Sequence, residues 1–437
     1  MELTKKSKPQ MDADKHRYGR GKRLTRWVSR PFSRTLSDVC SSASSGGFKC
    51  FFEVQPSCCL RGVGVFPSWV GHAALWVAAG CLASSICNAF GQTSNSETNL
   101  RWRDARELII EGKGWPDTKD SYDRLPARAE KLVRQNVWNL GHDSAGMCIR
   151  FVTDATTISA RWTLRRESLA MPHMPATGVS GLDLYVRGQG HWHWVGNGRP
   201  AKTIEEKVLV KGLKPARREC LLYLPLYNGV QEVKIGVPQG AALEPADPRP
   251  AGVKPIVFYG TSILQGGCAS RPGMAYPAIL GRRLDWPTIN LGFSGNALSE
   301  PELAQLLAEL DPAVYVLDPL PNMTAETVAE RYEHFVRILR EAHPGTPIEM
   351  VENVEYADGK FVEARQKRFA ASNAKLGEIH KRLTKAGQKK LFYVSAPSLL
   401  GNDGEATVDG THPTDLGFVR MADAIEPALR RALKSSR

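Results

Sequence analysis

From residue 100 to about 246, apolar and polar side chains alternate with a period of two. Ile149/Phe151, Ile158/Ala160/Trp162/Leu164, Leu182/Leu184/Val186 and Val233/Ile235/Val237 interleave with polar positions, the pattern of strands that bury one face. The runs are short and separated by turn formers, as in Val195-Gly196-Asn197-Gly198-Arg199-Pro200. No long helical period interrupts them between Val137 and Gly240. An antiparallel β-sandwich of jelly-roll type is therefore expected over 98–245. The run from Pro238 to Pro255, with five prolines, reads as a linker. Beyond it the pattern changes. Continuously apolar strands at 256–259, 288–291, 313–317, 348–351 and 391–395 alternate with helical periods near 275–284, 300–310, 325–342, 361–386 and 415–434. Ser299 and Glu302 have the spacing of a capping box at one helix start. Five β-α units over 253–437 predict an α/β domain with a flavodoxin-like, doubly wound parallel sheet. Such a sheet binds ligands at the carboxyl ends of its strands.

Charge and cysteine change this picture only at the N-terminus. The first 61 of 437 residues hold 13 Lys and Arg against 5 Asp and Glu, about +8 of the net +13. The remainder carries no basic patch interleaved with aromatics, which argues against a nucleic-acid partner. Six of nine cysteines (Cys40, Cys50, Cys58, Cys59, Cys81 and Cys87) precede residue 90. Cys148, Cys220 and Cys268 make neither a disulfide framework nor a metal cluster, although one bridge is open to them in an oxidising compartment. Trp69 to Ile86 is apolar, rich in small residues and preceded by Arg61, the pattern of a secretory signal cut after Ala89. Ala78-Ala79-Gly80-Cys81 resembles a loose lipoprotein box, with Cys81 as the lipidated residue. Residues 1–92 thus read as a largely disordered leader of an exported protein, periplasmic or extracellular. A membrane would be met only through that leader.

Candidate chemistry lies in four blocks of the second half, each just after an expected strand. They are Tyr259-Gly260-Thr261-Ser262-Ile263, Asn290-Leu291-Gly292-Phe293-Ser294-Gly295, Pro321-Asn322-Met323 and Asp409-Gly410-Thr411-His412-Pro413. A serine hydroxyl is a weak nucleophile that needs an adjacent base. Ser262 is the candidate nucleophile, His412 the base, and Asp409 the carboxylate that orients the imidazole. Gly292 is expected to offer a backbone N–H and Asn322 a side-chain amide, completing with the Ser262 amide a three-donor oxyanion hole. This chemistry needs no metal and no organic cofactor. Each block alone is equally a turn; the four in order on one sheet are what point to catalysis.

These residues resemble the SGNH (GDSL-type) hydrolases, whose Ser, Gly, Asn and His match Ser262, Gly292, Asn322 and His412, with Asp409 at the triad acid. A subgroup carries an N-terminal β-sandwich with a GxDLY segment, and this chain reads Gly181-Leu182-Asp183-Leu184-Tyr185. The resemblance spans about residues 100–433. Thr261 stands where the family's first block has Asp, and Asn322 lies in Pro-Asn-Met rather than Gly-x-Asn-Asp. The resemblance implies a serine esterase acting on a small acyl group, most simply acetyl, of an acylated small molecule or polysaccharide. A lipid-directed acylhydrolase or thioesterase is the alternative enzyme. A carbohydrate-binding protein with a vestigial hydrolase domain is the non-catalytic reading. His173, in a loop between Met171 and Met174, is a candidate substrate contact across the domain interface. His191-Trp192-His193-Trp194 offers a metal or sugar platform, but alternation sets both His on one strand face and both Trp on the other, so a Trp stripe in the sandwich core is the expected reading.

Overall fold

The computed structural model describes residues 99–436. The basic segment, the candidate signal, Cys81 and the cut after Ala89 lie outside them. Among the described residues no helix is long and apolar enough to cross a membrane.

Two antiparallel sheets form the first half. One runs β1 (Leu100–Asp104), β9 (Val230–Pro238), β4 (Thr157–Leu164), β7 (Ile204–Lys211). The other runs β10 (Leu243–Pro245), β3 (Cys148–Thr153), β8 (Arg218–Tyr223), β5 (Leu182–Gly188), β6 (His191–Gly198), with β2 (Ile109–Glu111) paired to β3. The period-two positions face one another between the sheets: Ile158, Ala160, Trp162, Leu164, Leu182, Leu184, Val233, Ile235 and Val237 share one buried cluster. The expected linker is not wholly irregular, because Leu243–Pro245 adds a strand to the second sheet.

The second half is a five-stranded parallel sheet ordered β12 (Thr288–Gly292), β11 (Ile256–Gly260), β13 (Val314–Asp318), β14 (Ile348–Val351), β15 (Leu391–Val394). The first strand in sequence lies second in space, as the flavodoxin-like order requires. Alternation along β11 explains why its pattern is apolar throughout. Ile256 and Phe258 enter the cluster under the helices Tyr276–Leu284 and Asp415–Ser436. Val257 and Tyr259 enter the opposite cluster, with side chains from helices Pro301–Ala308, Glu333–Ala342 and Glu363–Lys385. The period near 325–342 is interrupted by a π-helical turn at Val328–Tyr332.

The capping box does not form. Ser299 sits before the helix with φ 53, its hydroxyl meets the Met323 sulfur at 3.3 Å, and Glu300 is the N-cap. Cys148, Cys220 and Cys268 are free and buried. The HWHW strand also differs from expectation. The β5–β6 register slips between Leu184 and Tyr185, so that Tyr185 pairs with Trp194 while Leu184 pairs with Gly196. Val195, the extra residue, packs on the sandwich core. Trp192 and Trp194 instead lie on the outer face with Tyr185, and Trp194 stays 46% exposed. A bulge has moved the stripe out of the core.

Candidate active site

The end of β11 turns through Thr261, in extended backbone, into the short helix Ser262–Gln265. Thr261 Oγ1 caps this turn by accepting the Ile263 amide at 3.3 Å. The Ser262 carbonyl accepts from the amides of Gly266 (3.1 Å) and Gly267 (2.7 Å) and from the Tyr227 hydroxyl (3.2 Å). With its backbone so fixed, Ser262 Oγ stands 2.8 Å from His412 Nε2. His412 Nδ1 stands 2.7 Å from Asp409 Oδ2. The other carboxylate oxygen, Oδ1, accepts the amides of His412 (2.8 Å) and Thr411 (3.0 Å). Burial alone would raise the Asp409 pKa, but the bonds from His412 and Thr411 outweigh it and hold the group at about 2. The loop is tied from outside as well: Ala357 N donates to Gly410 O at 3.0 Å and Arg365 Nη2 to Thr411 Oγ1 at 2.8 Å.

Asn322 ends the 3-10 turn that follows β13. Its Oδ1 accepts the Ala297 amide at 3.3 Å, which leaves Nδ2 as a donor with no partner among the described residues. Gly292 does not serve as expected. Phe293 N bonds back to Gly260 O of β11 at 2.8 Å, so the Gly292 N–H, one residue earlier, points to the outer edge of the sheet. There it donates to Asn290 Oδ1 at 2.9 Å. The glycine that closes the same block is placed differently. Gly295 has φ 69, nothing lies within 4 Å of where a Cβ would sit, and its amide has no partner among the described residues. A left-handed turn there favours glycine and leaves the amide accessible.

His173 reaches the site from the sandwich. Its loop is pinned by reciprocal Met171–Met174 backbone bonds (2.9 and 3.1 Å), and Met174 is buried in the hydrolase core. The His173 ring lies 6.0 Å from that of His412, centroid to centroid.

Buried polar residues that the motifs did not reveal support this frame. Arg124, held by burial at a pKa of about 10, donates to the carbonyls of Asn290 (3.2 Å), Gly292 (2.7 Å), Asp143 (2.8 Å) and Leu140 (2.7 Å). Gln265 Nε2 donates to Asp143 Oδ2 at 2.8 Å, and its Oε1 accepts the Ser294 amide at 3.1 Å. Asp183 of the Gly-Leu-Asp-Leu-Tyr segment is fully buried and accepts from Arg271 Nη1, Gly273 N and Trp194 Nε1, each at 2.8 Å. It thereby grips the loop 266–274. That loop in turn reaches the start of the last helix, where Ser270 N donates to Asp415 Oδ1 at 2.9 Å. The Gly-Leu-Asp-Leu-Tyr segment, with Asp183 at an outward position of an alternating strand, was the signal available for this clamp.

Residues 253–430 match the model of the GDSL-like lipase/acylhydrolase family, and residues 100–243 match that of the N-terminus of SGNH-hydrolase-type esterases. A solved GDSL-like lipase-family protein of Bacteroides ovatus is 37% identical, covering 77% of this chain and 98% of its own, with a TM-score of 0.73. The chain belongs to the GDSL-like lipase/acylhydrolase family. It is an ester-hydrolysing enzyme of that family. Two more distant structures share the fold. A salicylyl-acyltransferase from a tetracycline biosynthetic pathway is 20% identical over 76% of this chain and 97% of its own, with a TM-score of 0.63. A family two carbohydrate esterase from Cellvibrio japonicus is 14% identical over 77% of this chain and 99% of its own, with a TM-score of 0.50. No curated protein matches the chain. Among the described residues of this GDSL-like hydrolase, no group of three or more His, Cys, Asp or Glu is placed to hold a metal ion.

Proposed function

We propose that the enzyme removes a small acyl group, acetyl, from a carbohydrate ester through an acyl-Ser262 intermediate. The observation that carries the ester-hydrolysing part of this reading is the unbroken relay from Ser262 Oγ through His412 to Asp409, at 2.8 and 2.7 Å. Ser262 Oγ attacks the ester carbonyl carbon as His412 Nε2 takes its proton, and Asp409 keeps the other ring proton on Nδ1. The oxyanion is met by the amides of Ser262 and Gly295 and by Asn322 Nδ2. Each donor of this kind is worth roughly 3–4 kcal/mol in the transition state. The tetrahedral intermediate collapses as His412 returns the proton to the departing alcohol. Water, activated by the same imidazole, then cleaves the acyl-serine and releases the carboxylic acid. His173, beside His412, is in reach of the alcohol or acyl part of a bound ester.

A short acyl group is supported by the confinement of Ser262, only 7% exposed. The cavity of about 380 Å³ between the loops 355–361 and 400–407 lies beyond the Asp409 loop and is lined by neither Ser262 nor His412. Turnover of p-nitrophenyl esters from C2 to C12, beside acetylated xylo-oligosaccharides, tests the reading. The expected result is a kcat/KM that is highest at C2 and falls by at least tenfold by C8, with release of acetate from the oligosaccharides. A profile that rises toward C8–C12 would replace it with the lipid-directed acylhydrolase.

A further inference from the structure

The strand His191–Gly198 carries an exposed indole that the relay does not use. Trp194 Nε1 donates to Asp183 Oδ1 at 2.8 Å, and Asp183 is itself fully buried, so the ring is held and cannot fold away from solvent. The Arg271 guanidinium lies 5.2 Å from the ring centroid. Beside the ring runs an open groove of about 340 Å³ between β6 and β7, within the roughly 300–1,000 Å³ usual for small-ligand sites. Trp194, Asn197, Arg199, Lys207 and Val208 line it. The two strands close its floor at Gly196, where a Cβ would come within 2.0 Å of the Leu209 carbonyl oxygen. Arg199 Nε donates to Asn197 Oδ1 at 3.1 Å, which leaves the Asn197 amide N–H groups and the Arg199 terminal nitrogens for another acceptor. The Lys207 charge is paired with Glu205 at 3.0 Å.

We propose that this groove binds a neutral glycan chain, one sugar ring stacked on Trp194 and its hydroxyls bonded by Asn197 and Arg199. A fixed aromatic ring matches the C–H face of a pyranose and needs no ordering on binding. Amide and guanidinium donors suit hydroxyl oxygens. The pairing of Lys207 with Glu205 lessens any demand for an acidic ligand. A surface groove beside a fixed ring leaves room for a chain that extends past the stacked sugar. The inference deepens the carbohydrate-ester reading, and rests on it for the choice of probes.

The test uses the full chain carrying Ser262→Ala, which removes the nucleophile and leaves the groove intact, and titrates xylohexaose, cellohexaose and mannohexaose, none of which carries an ester, by calorimetry. Saturable binding of at least one is expected. In the same background Asn197→Ala and Arg199→Ala should each raise Kd at least tenfold, with thermal melts matching the parent. Trp194→Ala should abolish binding, whereas Trp194→Phe, which keeps a ring but loses the bond to Asp183, should retain part of it. Binding of none of the three probes, or equal binding by parent and variants, overturns the proposal. So does a concentration-dependent dimer that Trp194→Ala dissolves, which would assign the face to a second copy. Glycan binding by a protein whose Ser262 form releases no acetate from acetylated oligosaccharides would sink the proposed substrate and leave the groove standing. Deacetylation without groove binding would do the reverse.

Discussion

Two carboxylates near the active end of the parallel sheet are held in opposite states. Asp409 accepts two amides and the His412 ring, and stays ionised down to about pH 2. The acid limb of the pH–rate profile must therefore come from a group other than Asp409. Asp409→Asn should keep the shape but favour the wrong imidazole tautomer, lowering kcat by up to about 10⁴-fold by analogy with serine proteases. Ser262→Ala and His412→Ala should be at least as damaging, and combining them should add little, because nucleophile and base act as a unit. Near-normal kcat in Asp409→Asn would return that residue to a turn former. Asp318, which ends β13, is the opposite case. It is buried, Tyr276 donates to its Oδ2 at 3.0 Å, Oδ1 has no partner, and burial pushes its pKa up to about 8. Between about pH 4 and 8 the unfolded chain releases this proton while the folded chain retains it, so stability falls as pH rises, by up to roughly 1.4 kcal/mol per pH unit. Glu349, buried with both oxygens unpartnered, pushes in the same direction. Asp318→Asn should flatten that decline, read as a smaller drop in Tm between pH 5 and pH 8 than in wild type. An unchanged drop would show that Asp318 is already ionised in the native state.

At the scale of elements, what the sequence showed depended on whether a pattern was set by burial or by one local turn. The strands of the parallel sheet were legible because a sheet covered on both faces favours apolar runs, as in Ile256-Val257-Phe258-Tyr259, even where a polar residue interrupts one, as Asn290 does in β12 and Glu349 in β14. The sandwich strands were legible through Trp162 and its period-two neighbours. Ser262, His412 and Asp409, the candidate nucleophile, base and acid, could be picked out because chemistry restricts the residue types and the fold restricts the positions, and the structure brings the three together. What stayed hidden turned on single backbone dihedrals or one extra residue. The left-handed Ser299 moves the helix start to Glu300. The bulge at Val195 turns Trp192 and Trp194 outward. In the second block, both glycines satisfy the motif by spacing, and only the direction of the Phe293 amide separates Gly292 from Gly295. The Arg124, Asp143 and Gln265 network joins residues more than 100 positions apart, which no local pattern records.

At the largest scale, the described residues 99–436 are less divisible than their two sequence patterns suggest. Met174, Val179, Leu226 and Tyr227, from the sandwich half, lie in one buried cluster with Ile256, Phe258 and Phe418 of the parallel-sheet half. Trp115, Leu125, Val137 and Trp138 lie with Val257, Tyr259 and Leu291 on the other side of that sheet. Full burial of one such side chain is worth roughly 1.5–3 kcal/mol. Removing all eight would cost on the order of 12–24 kcal/mol, at least comparable to the roughly 5–15 kcal/mol that stabilises a typical domain. It would also remove His173 from beside His412 and the Tyr227 bond to the Ser262 carbonyl. A chain beginning at Val253 should therefore fail to melt cooperatively and bind an apolar dye, even though it carries Ser262, Asn322, Asp409 and His412. A chain beginning at Gln92, which keeps the compact unit Gln92–Arg437, should unfold in one transition seen alike by far-ultraviolet dichroism and tryptophan fluorescence, with kcat/KM on p-nitrophenyl acetate near that of the full chain. Two separated transitions, or an active and cooperative fragment from Val253, would show that the shared clusters are contacts between independent domains. One transition for the long chain and none for the short one would make the sandwich half a structural part of the esterase site.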